Sequence, residues 1–348
     1  MSLISAVTGA TIPNANGSSF PITPELTSIA IQYRNPAITL IADLVLPQTP
    51  PLGVKKFKWT KFDLGNNFTI PDLTIGPRSM PNQYEVPGTE VPDECVDYGL
   101  EGFIPQDDVD QAQALRAMNQ SVIDPQMLQT EVLTDVVLLA RERRAANIVF
   151  NPANYLPTLT ADLSAGGGAQ QFDDFATSDP IETISNYLDS CVIRPNTLVF
   201  GKASWSPLRR HPRIMKAVNR DAGDTGAATR EQVAEIFEVN QILVGESWVN
   251  LTANRANPAL ARTWGAHMAG LFINPAAAKT MGLTWGFTAN YRGLYAGALP
   301  DLRTGVRGGS WVRVCQTVKE IVAAQEAGFL LTNCTSAGGI PAGEPEQN

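Results

Sequence analysis

The stretch "RPNTLVFGKASWSPLRRHP", residues 194–212, decides how the rest of the chain is read. Thr197 to Phe200 are apolar or β-branched, as a buried strand requires, and they run through Gly201 and Lys202 into a segment of helical character. Strand, glycine, lysine, helix is the order of parts in a phosphate-binding loop. That loop needs Gly-x-x-x-x-Gly-Lys-[Ser/Thr], because its first glycine lets the backbone wrap the phosphates and its final hydroxyl holds Mg²⁺. Asn196 stands where the first glycine belongs, and Ala203 follows the lysine. Both requirements fail, and the stretch is read as a strand turning into a helix.

Working outward, the surrounding residues are unusually basic. From Arg194 to Arg220 there are seven cations (Arg194, Lys202, Arg209, Arg210, Arg213, Lys216, Arg220) and no Asp or Glu. A nucleic-acid face is one reading. The segment "TREQVAEIFEVN" then brings Glu231, Glu235 and Glu238 at helical spacing, which offers the run an acidic partner in the same or an adjacent chain. Subunit contact or a solvated face is therefore preferred. The whole chain carries a net charge of -8, so no general field attracts nucleic acid.

The composition is that of a folded protein with little surface charge. Among 348 residues 44% are hydrophobic and only 17% charged, and low charge fits a surface destined to be covered by other subunits. The cysteines at 95, 191, 315 and 334 have no metal or redox spacing and are expected to be reduced and mostly buried. The first residues lack the basic and apolar parts of a signal peptide, and no stretch is long enough for a membrane span, so a soluble, cytosolically made protein is expected. His211 and His267 are the only histidines, without the local signature of a triad or zinc site. No catalytic residue, cofactor site or metal site is assigned.

Toward the N-terminus, 13 of the 25 prolines fall in the first 110 residues, which disfavours long helices there. In "VKKFKWTKF", 54–62, Phe57 and Trp59 alternate with Lys56 and Lys58, the period of a strand with one apolar face. Turns at "FTIPDLTIGP" and a returning strand near "NQYEVPG" complete a long hairpin with no core of its own. Lys55, Lys56, Lys58 and Lys61 are four of only eight lysines in the chain, whereas Glu90 to Asp110 holds eight acids, among them Glu90, Asp93, Glu94 and Asp97, and no base. Either the two sides of the hairpin pair with each other, or a basic stem meets an acidic strip on a neighbouring subunit.

A long helix is expected from Pro125 to about Asn147, capped by Asp124. Leu128, Val132, Val136 and Leu139 form its apolar stripe, widened by Leu133, Val137 and Ala140, and Arg141, Arg143 and Arg144 complement the dipole in its last turns. "DLSAGGGAQQFDDFATS", 162–178, reads as a flexible connection. A helix begins at Asp179-Pro180 with Glu182 in the capping-box position. The helical segment after Lys202 is broken at Pro212, and another runs from about Thr229 to Phe237. "QILVGESWVN", "HMAGLFIN" and "LTWGFTA" contain buried strands, and "SWVRVCQTVKEIV", 310–322, is a long alternating one that turns at "AAQEAG" into "FLLTNC". The class is α+β with elongated peripheral parts.

These parts in this order resemble the major capsid protein of tailed bacteriophages, the Hong Kong 97-type fold. The likeness is carried by "PNTLVFGKASWSPLRRHPRI" and "VRVCQTVKEIVAAQEAGFLLT" and covers roughly residues 50 to 335. It implies an N-terminal arm (1–53), an extended hairpin loop (54–100), a peripheral domain (101–178 and 292–335) with a spine helix at 125–147, an axial domain (179–291) and a C-terminal tail (336–348). It also implies an icosahedral shell of hexamers and pentamers around double-stranded DNA that is not specifically bound, with scaffolding, portal and possibly decoration proteins as partners and no membrane. The candidate contacts between subunits are Lys55, Lys56, Lys58, Lys61, Glu90, Asp93, Glu94, Asp97, Arg209, Arg210, Arg213, Glu231 and Glu235. Two departures stand out: the arm begins almost at Met1, which implies a separate scaffolding protein or none, and the hairpin tip, 65–83, has no lysine for a covalent link. A nanocompartment shell enclosing protein cargo is the alternative, and a nucleotide-dependent enzyme the third reading.

Overall fold

The computed structural model describes residues 21–336 except 34–38, 62–69, 71–72, 76–79, 81–88, 119–123, 168–169, 220–225, 253–256 and 277–282. The described chain separates into two compact units. One comprises residues up to 36, 96–140 and 291–318; the other comprises 37–95, 141–290 and the rest from 319.

In the first unit, α1 (Pro24–Gln32) and α3 (Gln106–Ala117) accompany the first part of the long helix α4 (Pro125–Val149); α2 (Ala42–Val45) belongs to the second. Asp124 caps α4 as its side chain accepts from the Gln126 amide at 2.9 Å. The helix runs two residues past the expected end. Its buried side holds Leu133 and Val137, which pack with Leu26, Ala30, Ile104, Ala296, Val312 and Val314.

The second unit is built on a five-stranded mixed sheet. Its strands are β4 (Thr160–Asp162), β5 (Thr197–Gly201), β6 (Gln241–Gly245), β9 (Met268–Leu271) and β12 (Gly328–Thr332), in the order β4-β12-β9-β5-β6. Both faces are covered, so β5 reads as a continuous apolar run. Leu198 and Phe200 point into a core shared with Ile184, Leu188, Trp205, Leu208, Val233 and Phe237. Val199 points the other way, toward Ala146, Val149, Trp264 and Leu330. The helices on the first face are α5 (Pro180–Ser190), α6 (Lys202–Leu208), α7 (Pro212–Asn219) and α8 (Arg230–Ile236). Asp179 caps α5, accepting from the amides of Ile181 and Glu182 at 3.1 Å.

The helical segment after Lys202 is broken before Pro212, α6 ending at Leu208 and Pro212 opening α7, because proline lacks only an amide hydrogen that the first turn does not use. Two expectations need correcting. The glycine-rich stretch at 162–178 is not a free connection: Leu163 and Phe172 are buried in the core, and the Phe172 amide donates to the Cys334 carbonyl at 2.7 Å. Residues 286–301 form one sixteen-residue strand, β10, of which only the start was expected. β10 lies beside β11 (Gly309–Val322), which pairs antiparallel with β3 (Val96–Pro105) from Gly309–Pro105 to Val318–Val96.

Candidate assembly surfaces

The hairpin stem is β1 (Lys56–Lys61) and β2 (Thr89–Glu94), paired antiparallel from Lys56–Glu94 to Lys61–Thr89. The turn at 68–77 and the returning strand at 82–88 lie almost wholly outside the described residues, and the strand that meets β1 is the later β2. As the alternation requires, Phe57 and Trp59 are half-buried, and Lys56 and Lys58 exposed. Trp59 meets the edge of Phe287 at 6.2 Å, which anchors the root of the stem.

Antiparallel register then brings the opposite charges together. Lys58 Nζ lies 2.8 Å from Glu90, Lys56 lies 3.6 Å and Lys55 3.9 Å from Glu94, and Lys319 lies 3.9 Å from Asp93. The hydrogen bond with Glu90 raises the Lys58 pKa and lowers that of Glu90. Within one protomer the two sides of the hairpin therefore pair with each other. Such exposed pairs add little to folding but fix a striped charge pattern on an extended surface. Asp97, in the other unit, accepts from the Thr317 hydroxyl at 2.7 Å.

The basic run is distributed over several elements of the second unit. Arg194 pairs with Asp189 at 2.6 Å and Glu238 at 3.7 Å, and Arg213 pairs with the capping Asp179. Lys202 Nζ lies 2.7 Å from Glu246, which Arg230 also approaches at 3.2 Å. The Glu246 carboxyl is held below its usual range, first by the Lys202 hydrogen bond. Lys202 is thus directed at a carboxylate, whereas a phosphate-binding loop needs its lysine free to reach the phosphates. Gly201 is equally accounted for, since a Cβ there would stand 2.1 Å from the Gly265 carbonyl oxygen. Of the three glutamates expected to answer the run, Glu238 does so from beyond the end of α8, whereas neither Glu231 nor Glu235 forms an ion pair with it among the described residues. Arg210 is exposed and bonds its own helix at the Ser206 carbonyl, while Arg209 is half-buried.

His211 and Ser178 form a buried pair, with Nε2 and Oγ 3.1 Å apart. It is not a nucleophile and its base. Nδ1 accepts from the Arg213 amide, so Nε2 carries the proton, and the serine hydroxyl donates to the Asp174 carbonyl at 2.6 Å. Burial lowers the His211 pKa. His267 Nδ1 accepts from the Asn333 amide at 3.1 Å. The four cysteines are free and all but the half-buried Cys315 are buried; burial raises the Cys191 thiol to about 12. Among the described residues no group of His, Cys, Asp and Glu is arranged to hold a metal, and no helix is long and apolar enough to cross a membrane.

What the described surface does carry is exposed apolar side chains on rigid elements. Leu128, Val132 and Val136 form a row along α4 with exposures of 50%, 50% and 46%. Leu302 and Val306 crown the turn between β10 and β11. The sequence marked the first row as part of the apolar stripe of α4 and gave no sign of the second.

No family model matches the chain. The sequence is 38% identical over 322 residues to the major capsid protein of Pseudomonas phage JBD67, covering 92% of this chain and all of that one. The chain belongs to the phage major capsid protein family. Its fold agrees with that assignment: a phage-related protein from Bordetella bronchiseptica RB50 superposes with a TM-score of 0.66 at 19% identity, over 93% of this chain and all of the other. The capsid structure of cyanophage P-SCSP1u gives 0.53 at 12% identity, over 84% and 88%. The fold is thus the Hong Kong 97-type capsid fold.

Proposed function

We propose that copies of this chain assemble through one another, as hexamers and pentamers, into an icosahedral shell that encloses double-stranded DNA in the virion, and that the chain acts structurally and not as an enzyme. The observation that carries this reading is the identity over the full length of a phage major capsid protein. A net charge of -8, with Lys58, Lys202, Arg194 and Arg213 engaged by carboxylates, suits a container that must hold DNA densely yet release it. Scaffolding, portal and decoration proteins are its partners in assembly, which takes place in the bacterial cytoplasm. The striped hairpin stem, with Lys55, Lys56, Lys58 and Lys61, lies across a neighbouring copy, and Arg209, Arg210 and Arg213 with Glu231 and Glu235 form a second contact between copies.

Electron micrographs of the purified product, with absorbance at 260 and 280 nm, test this directly. Closed shells containing nucleic acid are the expected outcome, running in detergent as a single band near the 37.5 kDa monomer because no covalent link joins the subunits. Shells holding only protein would instead support a cargo compartment, and a ladder of multimers would show cross-linking. Arg209→Glu with Arg210→Glu is expected to lower the yield of shells, and an unchanged yield would make that face merely solvated.

A further inference from the structure

The corner between α6 and α7 is fastened to the turn before α5 through a single imidazole. His211 stands directly before Pro212 and is fully buried. Its Nδ1 accepts from the Arg213 amide at 3.3 Å and its carbonyl from the Met215 amide at 3.0 Å, so ring and backbone together close the first turn of α7. The other ring nitrogen faces the Ser178 hydroxyl at 3.1 Å, and that hydroxyl donates onward to the Asp174 carbonyl at 2.6 Å. Residues 174–178 form a turn that the Asp174 carboxylate closes, accepting from the amides of Ala176 and Thr177 at 3.1 and 3.3 Å and from the Thr177 hydroxyl. Phe175 of the same turn meets the imidazole at right angles, with ring centroids 5.5 Å apart. His211 is thus an acceptor on one side, a donor on the other and a packing surface between.

Only the neutral ring fills that role, because an imidazolium carries N–H on both nitrogens. A proton on Nδ1 would point at the Arg213 amide, replacing a hydrogen bond by two opposed donors at the start of a helix, where the dipole also disfavours a cation. The charged groups around the ring give that proton no acceptor in exchange. The Asp174 carboxylate is engaged by its own turn, Asp179 caps α5 and pairs with Arg213, and Arg213 is itself a cation. Arg210, the residue before, is bonded to the Ser206 carbonyl. Burial lowers the His211 pKa more than the Asp174 carbonyl and the two carboxylates raise it.

We propose that His211 is an acid-sensitive clasp: when Nδ1 takes a proton from solvent the ring leaves its site, and the first turn of α7 and the turn at 174–178 are released together. The Arg213 amide and the Ser178 hydroxyl then bond to water. A folded-state pKa below the ordinary 6.5 means that the unfolded chain binds the proton more readily, so the contribution of the clasp to stability is complete above pH 6.5 and is lost as pH falls through the folded value.

Amide hydrogen exchange of the full chain, read by mass spectrometry between about pH 8 and about pH 5, tests the clasp. Protection, corrected for the intrinsic exchange rate, is expected to fall in 172–178 and 212–219 together below pH 6.5, by up to about tenfold per pH unit once the folded pKa is passed. His211→Asn keeps a side-chain acceptor before Pro212 but cannot be protonated, and is expected to hold that protection flat. An equal loss in wild type and His211→Asn, or the opening of one segment without the other, would overturn the clasp. If His211→Asn does not fold, the wild-type ring decides. Of the two imidazoles in the chain, that of His211 has to change charge, by its NMR titration, over the pH range in which protection is lost. A His211 ring still neutral after both segments have opened would overturn the proposal equally.

Discussion

The two ends of α4 invert the usual rule for a helix. Along residues 125–140 the row of Leu128, Val132 and Val136 is about half exposed, whereas beyond it Arg141, Glu142 and Arg144 are buried. At the second end these three buried charges are answered. Arg141 pairs with Asp43 at 2.5 Å, and Arg144 with the buried Glu320 at 3.2 Å. The Glu142 carboxylate accepts from the amides of Ile41 and Ala42 and from the Trp264 indole, at distances from 2.6 to 3.1 Å, and so holds the start of α2 in place. At the first end, apolar side chains have no partner among the described residues of the protomer that would hide them. At one end of the helix burial goes with specific polar partners, and at the other an apolar row stays exposed in the protomer.

Breaking the buried ion pair should have the largest effect. Arg144→Met leaves Glu320 buried without a counter-charge and is expected to destabilise the subunit by about 3–5 kcal/mol. Adding Glu320→Leu should recover most of that loss in urea unfolding of the two variants. A single variant as stable as the wild type would mean that water reaches the pair.

The contrast between the two apolar sides of the first end comes next. Leu133→Ala, on the buried side, is expected to cost about 2–4 kcal/mol, and Val132→Thr, one residue away, less than about 0.5 kcal/mol. Equal losses at the two positions would show that the exposed row is covered within the subunit after all.

The smallest effect is a dependence on pH. Burial raises the Glu142 pKa above its ordinary value of 4.5 more than its three donors lower it. A folded-state pKa above the unfolded value means that the folded chain binds the extra proton, so this contribution to stability is complete below pH 4.5 and is lost as pH rises through the folded value. Urea midpoints of wild type and Glu142→Gln, measured in parallel, should therefore show the wild type losing ground as pH rises from 4.5. A difference that stays flat would mean that the three donors fully offset the cost of burial.

Much of this molecule was legible along the chain because the signals are local. β5 and α6 followed from a short apolar run ending at Gly201-Lys202, α4 from Asp124-Pro125, the stem from the alternation of Phe57 and Trp59 with lysines, and β11 from its own period. Three features depended on distant partners. The second half of β10, with Gly293, Gly297 and Pro300, has weak strand propensity and is held by pairing with β11. Two of the three arginines read as complements to the helix dipole, Arg141 and Arg144, instead meet Asp43 and Glu320, residues about a hundred or more positions away. And both stripes of α4, Leu128-Val132-Val136 and Leu133-Val137, have the same period and the same chemistry, so periodicity alone cannot say which faces the core. Apolar runs, caps and side-chain period placed β5, α4, α6 and β11 along the chain and, through the order of the parts, pointed to the family, because backbone geometry and side-chain period act over a few residues. Which apolar face is buried and which charges are paired follow from the tertiary packing, because those energies exist only once residues far apart in the chain have been brought within a few ångströms.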